Sequence, residues 1–561
     1  MRLVRIRYST SFRALGSLTF SLLLLAGCAS TRHVPSVDGL DVNVGEMRAL
    51  SPTDRHNDKA SLVQHESGLW ELYVAGNPFQ RGLAIGQLTE DLLQKQEAAF
   101  VDVIRSFVPS EARQRRLGLF LRFFNRNMEK HVIKPYRQEL YGLSKASSPA
   151  FDFIAPSYHR LLYFHGAHDI GHALQDLALV GCSSFAAWGS QAEDGKLLVG
   201  RNFDFHVNDA FAEDKIVYFI APEEGYKHAI VSWAGMLGAM SGMNEHGLTV
   251  TINAGKSNIP LQSKTPISFV AREILQYAEN IDRAYEIASR REVFVSESIM
   301  VASAADGKAV LIEVSPKKIG LYAVPQPGDL LVCTNHFQSE PYLHDNRNLR
   351  QIRDGHSQYR FDRLHELIGE HPKLTPALAA DILRDRGGLN GETLGHGNEM
   401  AINQLMAHHA VVFQPHDRLM WVSANPYQLG AFVAYDLRAV FDQMGEGTVL
   451  QSSSVDSLQI GEDGFLHTPA YRNYRTFRKE TVRIGQKNAY ISDEDLTAYV
   501  ALNPEFWWTY RTVADYYFRQ KNYVDAARYY EQALTKVVTT PPDRTALEKR
   551  LRQARRKAKK R

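Results

Sequence analysis

Cysteine is almost missing from this 561-residue chain: Cys28, Cys182 and Cys333 are the only three. So few thiols exclude a disulfide-built fold, because one pair is a poor staple for a chain of this size. A charge of one sign is missing as well. Lys and Arg total 65 against 62 Asp and Glu, a formal net charge of +3, so no overall field draws the chain to nucleic acid. The local exception, the terminal "LEKRLRQARRKAKKR", reads as a solvated helix end. No phosphate-binding glycine loop is present, and no cofactor is called for. What is there is globular. The chain is 44% hydrophobic, 10% aromatic and 23% charged, outside the disordered range and long enough for one large domain with appendages.

The start of the chain reads as a targeting segment. Arg2, Arg5, Arg7 and Arg13 precede "ALGSLTFSLLLLAG", an apolar stretch too short for a comfortable transmembrane helix. Small residues then lead into Cys28 as "LAGC", which matches a bacterial lipoprotein signal. Residues 1–27 are thus expected to be removed and Cys28 lipidated, with 28–60 as a tether. Ala29 after the Cys resembles outer-membrane sorting, so the expected place is the cell envelope, lipid-anchored and facing the periplasm.

Residues 61–181 read as a mainly helical segment after one short strand. From Cys182 the hydrophobic period changes to two. "CSSFAAWG" and "KLLVGRNFDF" flank "SQAEDG" as a hairpin, "HAIVSWAG" and "LTVTINAG" flank "MNEHG", and Asp306-Gly307 turns a third pair. Helical patterns interleave at 266–290 and 357–385. Many antiparallel strands with helices between them make residues 182–445 an α+β domain. Residues 446–500 read as a connector. In the 501–561 tail, Tyr510, Val513, Ala514, Tyr517, Ala526, Tyr530 and Ala533 stand at tetratricopeptide-like packing positions. One such unit cannot bury both faces, so it docks on the domain or on a partner protein.

Cys182 carries the chemistry. A thiol attacking an acyl group needs a base and an oxyanion hole. No Cys-His-Asn order supplies the base, whereas an N-terminal Cys brings its own: an α-amino group of pKa about 7.7–8. That requires cleavage between Gly181 and Cys182, and Gly tolerates the unusual backbone that a reactive carbonyl needs. The hairpin returns so that Asp204 lies opposite the start of its first strand, with Arg201 nearby. Asp204 is then placed to hold the new amine and Arg201 to tune the thiolate.

The run "GCSSFAAWG…DGKLLVGRNFDF" resembles the nucleophile hairpin of the isopenicillin-N acyltransferase family and its choloylglycine hydrolase relatives, both N-terminal-nucleophile hydrolases. "GNPFQRGLAIG", "SGMNEHGLTVTINAG" and "LVCTNHF" resemble further segments of that family in order, over about residues 70–437. "YRFDRL" offers Arg360 where the family has a site Arg. The resemblance implies a four-layer αββα sandwich. It implies Cys182 as nucleophile and Asn253 with a backbone N–H as oxyanion hole. Asn335 and Asp204 would hold the α-amine, and Arg201 would shape the thiolate field. The implied activity is self-cleavage, then hydrolysis or transfer of the acyl group of a small N-acyl amide. An ester-cleaving relative and an inert envelope scaffold are the alternatives. His165, His168 and His172 share a helical face but lack a completing ligand, so no metal is expected. His408-His409 starts a strand and reads as structural, and Cys333 reads as pocket wall.

Overall fold

The computed structural model describes residues 33–173, 181–205, 209–258 and 262–560. Cys28 and the expected signal segment therefore lie outside the described residues. Among those described, no helix is long and apolar enough to cross a membrane.

Before Cys182 come β1 (Arg48–Ser51), β2 (Asp54–His56), β3 (Ala60–Gln64) and β4 (Trp70–Gly76). Cys182 is followed by β5 (Ser183–Ala187), β6 (Leu198–Phe203), β7 (Lys215–Pro222), β8 (His228–Trp233), β9 (Ser241–Asn244) and β10 (Leu248–Ala254). β11 (Glu297–Ser303), β12 (Lys308–Val314), β13 (Ile319–Ala323) and β14 (Leu330–Cys333) follow. The last strands are β15 (His409–Gln414), β16 (Leu419–Ser423) and β17 (Phe432–Asp436). They form an eleven-stranded sheet, β1-β2-β3-β4-β7-β8-β9-β10-β11-β12-β13, and a six-stranded sheet, β14-β5-β6-β15-β16-β17.

Successive side chains along a strand point to opposite faces, which explains the layering. Val217 and Phe219 of β7 face Val199, Val411 and Phe413 of the smaller sheet in one apolar layer. Their neighbours Ile216, Tyr218 and Ile220 point the other way, into a second core. That core also takes Leu88 and Leu92 of the Pro78–Phe107 helix, Leu140 of Lys134–Leu143, Leu161 of Ser157–Ala173 and Ile274 of Ile267–Tyr277. The outer face of the smaller sheet packs Phe185, Leu198 and Val412 against Leu364 and Leu383 of the Ser357–Gly369 and Pro376–Leu383 helices. The architecture is the expected four layers, helix–sheet–sheet–helix. Strands with both faces covered bury apolar residues on each, which is why their alternation is weak in sequence.

Two segment boundaries differ from expectation. Residues 48–60, assigned to the tether, form strands at one end of the large sheet, and β4 joins β7 in the only parallel ladder among the described strands. The segment before Cys182 is therefore part of the large sheet as well as its helical cover. Its helices are tied across the core by Glu139, which accepts from Arg81 at 2.8 Å and from Arg272 at 2.9 Å, all three fully buried. Two guanidinium partners keep that buried carboxyl ionised and below its ordinary pKa despite desolvation.

The connector is the second difference. Helices Pro469–Gly485 and Asp493–Leu502 begin a helical unit that continues through Trp507–Arg519, Tyr523–Leu534 and Pro541–Ala558. Val513, Ala514, Tyr517, Ala526, Tyr530 and Ala533 are buried in it and Tyr510 is half-buried. The unit docks on the sandwich: Leu405 and Leu429 enter its aromatic core beside Tyr474 and Phe506, and Arg478 pairs with Asp209 at 2.7 Å.

Candidate active site

β5 and β6 pair with Ser183 opposite Asn202 and Ser184 opposite Arg201. The ladder extends to Gly181, whose N–H donates to the Asp204 carbonyl at 3.1 Å. The hairpin thus brings Cys182, Arg201 and Asp204 together as their spacing predicts. All three are fully buried. Arg201 Nη2 lies 3.7 Å from Cys182 Sγ, and its guanidinium stacks 4.4 Å over the Phe203 ring. Its Nη1 donates to Ser241 Oγ at 2.7 Å and faces His409 Nε2 at 3.4 Å. An Nε2 that accepts from Arg201 leaves the proton on His409 Nδ1, which faces His408 Nδ1 at 2.9 Å. The histidine pair is thus a buried prop for Arg201, and burial pushes both rings well below their ordinary pKa.

Burial pushes the Cys182 thiol up to about 11, against the pull of Arg201 and with a push from Asp204 and Glu297. A thiol so placed is protonated at neutral pH and needs a base to attack. The Asp204 carboxyl is pushed by burial from 3.8 up to about 7, although Arg360 and Arg201 pull it down. Among the described residues, neither of its carboxyl oxygens has a hydrogen-bond partner. A buried, unpaired carboxyl beside Cys182 fits a group that awaits a cation.

Arg360, on the Ser357–Gly369 helix, is the hub of the site. Its Nη1 donates to the Gly181 carbonyl at 3.2 Å, the Cys182 carbonyl at 2.6 Å and Ser183 Oγ at 2.8 Å. Its Nη2 donates to Asn335 Oδ1 at 2.6 Å. Asn335 in turn donates from Nδ2 to the Ala254 carbonyl at 3.0 Å and is anchored by its own N–H on Ser357 Oγ at 2.8 Å. A second donor reaches the Gly181 carbonyl: Gln404 Nε2, at 2.7 Å. Sequence reasoning missed Gln404, which lies in a segment without helix or strand period. Glu297, opposite Ala254 on β11, was also missed.

Asn253 is placed at the same end of the sheets but is differently employed. Its Oδ1 accepts from Ser184 Oγ at 2.9 Å, and its Nδ2 donates to the carbonyls of Cys333 at 3.1 Å and Thr334 at 3.2 Å. To serve an oxyanion it must give up one of these bonds. Cys333 is a free, buried thiol in the layer between the sheets, with its pKa driven up by burial. Among the described residues, no cluster of His, Cys, Asp and Glu is arranged to hold a metal. His165 holds Leu161 O and the Leu237 N–H with its two ring nitrogens, and the side chains of His168 and His172 lie outside the described residues.

Comparison with known proteins finds similarity over part of the chain. A family model described as acyl-coenzyme A:6-aminopenicillanic acid acyl-transferase matches residues 190–426, a span that starts just after Cys182 and contains Arg201, Asp204, Asn253, Asn335, Arg360 and Gln404. Protein dcd1A of Dictyostelium discoideum is 26% identical over 239 residues, 38% of this chain and 51% of that protein. An uncharacterized protein of Archaeoglobus fulgidus is 23% identical over 313 residues, 48% of this chain and 50% of that one. The chain spans about half the length of these curated relatives. Among solved structures, a Caenorhabditis elegans ortholog of N-acylethanolamine-hydrolyzing acid amidase matches 42% of this chain and 93% of its own, at 18% identity and a TM-score of 0.31. A mutant conjugated bile acid hydrolase of Clostridium perfringens matches 46% and 93%, at 13% identity and a TM-score of 0.31. Over residues 190–426 the chain is similar to the acyl-coenzyme A:6-aminopenicillanic acid acyl-transferase family.

Proposed function

We propose that this chain is a self-cleaving amidohydrolase or acyltransferase with Cys182 as nucleophile, held at the cell envelope by a lipidated Cys28. The observation that carries the reading is the polarised Gly181 carbonyl, which accepts from Arg360 and Gln404 on the bond preceding a thiol flanked by Arg201. In processing, Cys182 Sγ bonds to the Gly181 carbonyl carbon and the thiol proton passes to the Cys182 nitrogen. The C–N bond then breaks, leaving a thioester between Gly181 and the Cys182 side chain. Water adds to the thioester and the C–S bond breaks. The products are a Gly181 carboxylate, a free thiol and a new α-amine beside the unpartnered Asp204.

That amine is the base for turnover. With a pKa of about 7.7–8 it is partly neutral at neutral pH and takes the thiol proton as Sγ attacks a substrate amide. The amine of the substrate leaves, and water or a second amine resolves the acyl-thioester. The acyl group is expected to be lipophilic. Cys182 belongs to the same buried cluster as Phe203, Phe205 and Trp233, and the last two line a cavity with Leu93, Phe100, Leu161 and Phe164.

Intact mass and N-terminal sequencing of the purified protein test the reading, with Cys182→Ala as the uncut control. A heavy chain starting at Cys182 in the wild type and a single chain in the variant are expected. A folded wild type that stays whole refutes self-processing and leaves the scaffold reading in the lead. The processed protein is then offered matched acyl amides and acyl esters. Turnover of esters alone would make it an esterase instead.

A further inference from the structure

We propose that Gln404 is a catalytic residue of self-cleavage, the neutral second donor to the Gly181 oxygen as it becomes an oxyanion. The inference rests on the reading of Cys182 as a self-cleaving nucleophile. It begins from an imbalance at the carbonyl. Arg360 Nη1 divides itself among three acceptors, and its contact with Gly181, at 3.2 Å, is the longest of them. Gln404 Nε2 stands nearer, at 2.7 Å, and Gln404 is 1% exposed. Donors at about 2.7–3.1 Å in a water-free site are the geometry that stabilises developing negative charge.

The residue before the cut is shaped to this donor. A Cβ at Gly181 would stand 2.4 Å from Gln404 Nε2 and 2.6 Å from its Oε1. No side chain fits at 181 while Gln404 holds the carbonyl. Glycine is thus demanded here by a close approach, independently of backbone freedom.

The donor is also held from two sides. Asn202, on the nucleophile hairpin, donates from Nδ2 to the Ile402 carbonyl at 3.0 Å. On the other side, Leu405 sits at a φ of 54° and is buried in the core of the C-terminal helices. Earlier in the same loop, Asn398 Oδ1 accepts from Thr539 Oγ1 at 3.0 Å, and His396 and Asn503 exchange two hydrogen bonds. A non-glycine residue in the left-handed region persists only where its surroundings over-determine it. The C-terminal helical unit is, on this account, the positioning device for Gln404.

The test follows the appearance of the heavy chain in cell-free translation. Gln404→Met keeps the length of the side chain and removes the donor; Gln404→Glu keeps its shape and becomes an acceptor when ionised. Both are expected to process about 100-fold more slowly than wild type, the scale of losing one oxyanion donor. In a Cys182→Ala background that cannot be cut, the same two substitutions are expected to leave the melting temperature within a few degrees of the parent. Processing of either folded variant within threefold of wild type overturns the role of Gln404 and leaves self-cleavage standing. A wild type that never cuts overturns both.

Discussion

Arg360→Leu is expected to slow self-cleavage by about a thousandfold or more, and Arg360→Lys not to restore it. Each hydrogen bond from a charged donor is worth about 1.5–3 kcal/mol, and a single oxyanion donor about 10²–10³ in rate. Arg360 adds a positive charge to its donor, in a buried site where the charge is poorly screened. It also locks Asn335 and the Cys182 carbonyl into one network. Lysine carries the charge but lacks the planar fork that reaches Asn335 and the hairpin backbone together. The measurement is the rate of heavy-chain appearance, read beside urea unfolding of the same substitutions in Cys182→Ala. A variant that folds and processes within tenfold of wild type would remove Arg360 from the cleavage machinery.

The second large effect is on stability, in the uncut chain. The folded Asp204 carboxyl titrates near 7 and its unfolded counterpart near 3.8. Between those values the native state keeps a proton that the unfolded state has released, so the contribution of Asp204 to stability falls as pH rises from about 4 to about 7. Three pKa units correspond to about 4 kcal/mol. Asp204→Asn, made in Cys182→Ala, removes this dependence. Its stability relative to the parent is expected to rise by about that amount between pH 4 and pH 8, measured by urea unfolding at both ends. A difference that stays flat across this range would place the Asp204 titration elsewhere. Processing should shrink this dependence, because an α-ammonium at Cys182 would give the carboxylate its missing partner and pull its pKa back down.

How much of this was legible in the sequence depends on range. The β5–β6 hairpin declared itself through its period of two and its turn residues, and the two-residue pleat alone put Asp204 and Arg201 within reach of Cys182. Arg360 and Asn335 needed the order of motifs along the chain, since nothing local distinguishes a strand-end Asn or a helical Arg. Gln404 had no signal at all. It sits in a loop whose path is set by Asn202 and by helices more than sixty residues further on. The helices from 469 to 502 were read as a connector because Arg and Lys are interspersed among Tyr471, Tyr474, Phe477 and Ile484, hiding a buried stripe. β1 to β3 were missed because strands of three to five residues carry too few alternations to count.

The parallel ladder of β4 with β7 has a further consequence once the bond at 181 is cut. Seven residue pairs from Trp70–Ile216 to Gly76–Pro222 then join two separate polypeptides, backed by Glu139 against Arg272. A contact that was intramolecular during folding becomes intermolecular, and its effective concentration collapses to that of the dissolved chains. Processing would therefore leave the assembled fold in place while removing the covalent route back to it. The mature protein would owe its persistence to slow unfolding, and its recovery from denaturant would depend on protein concentration.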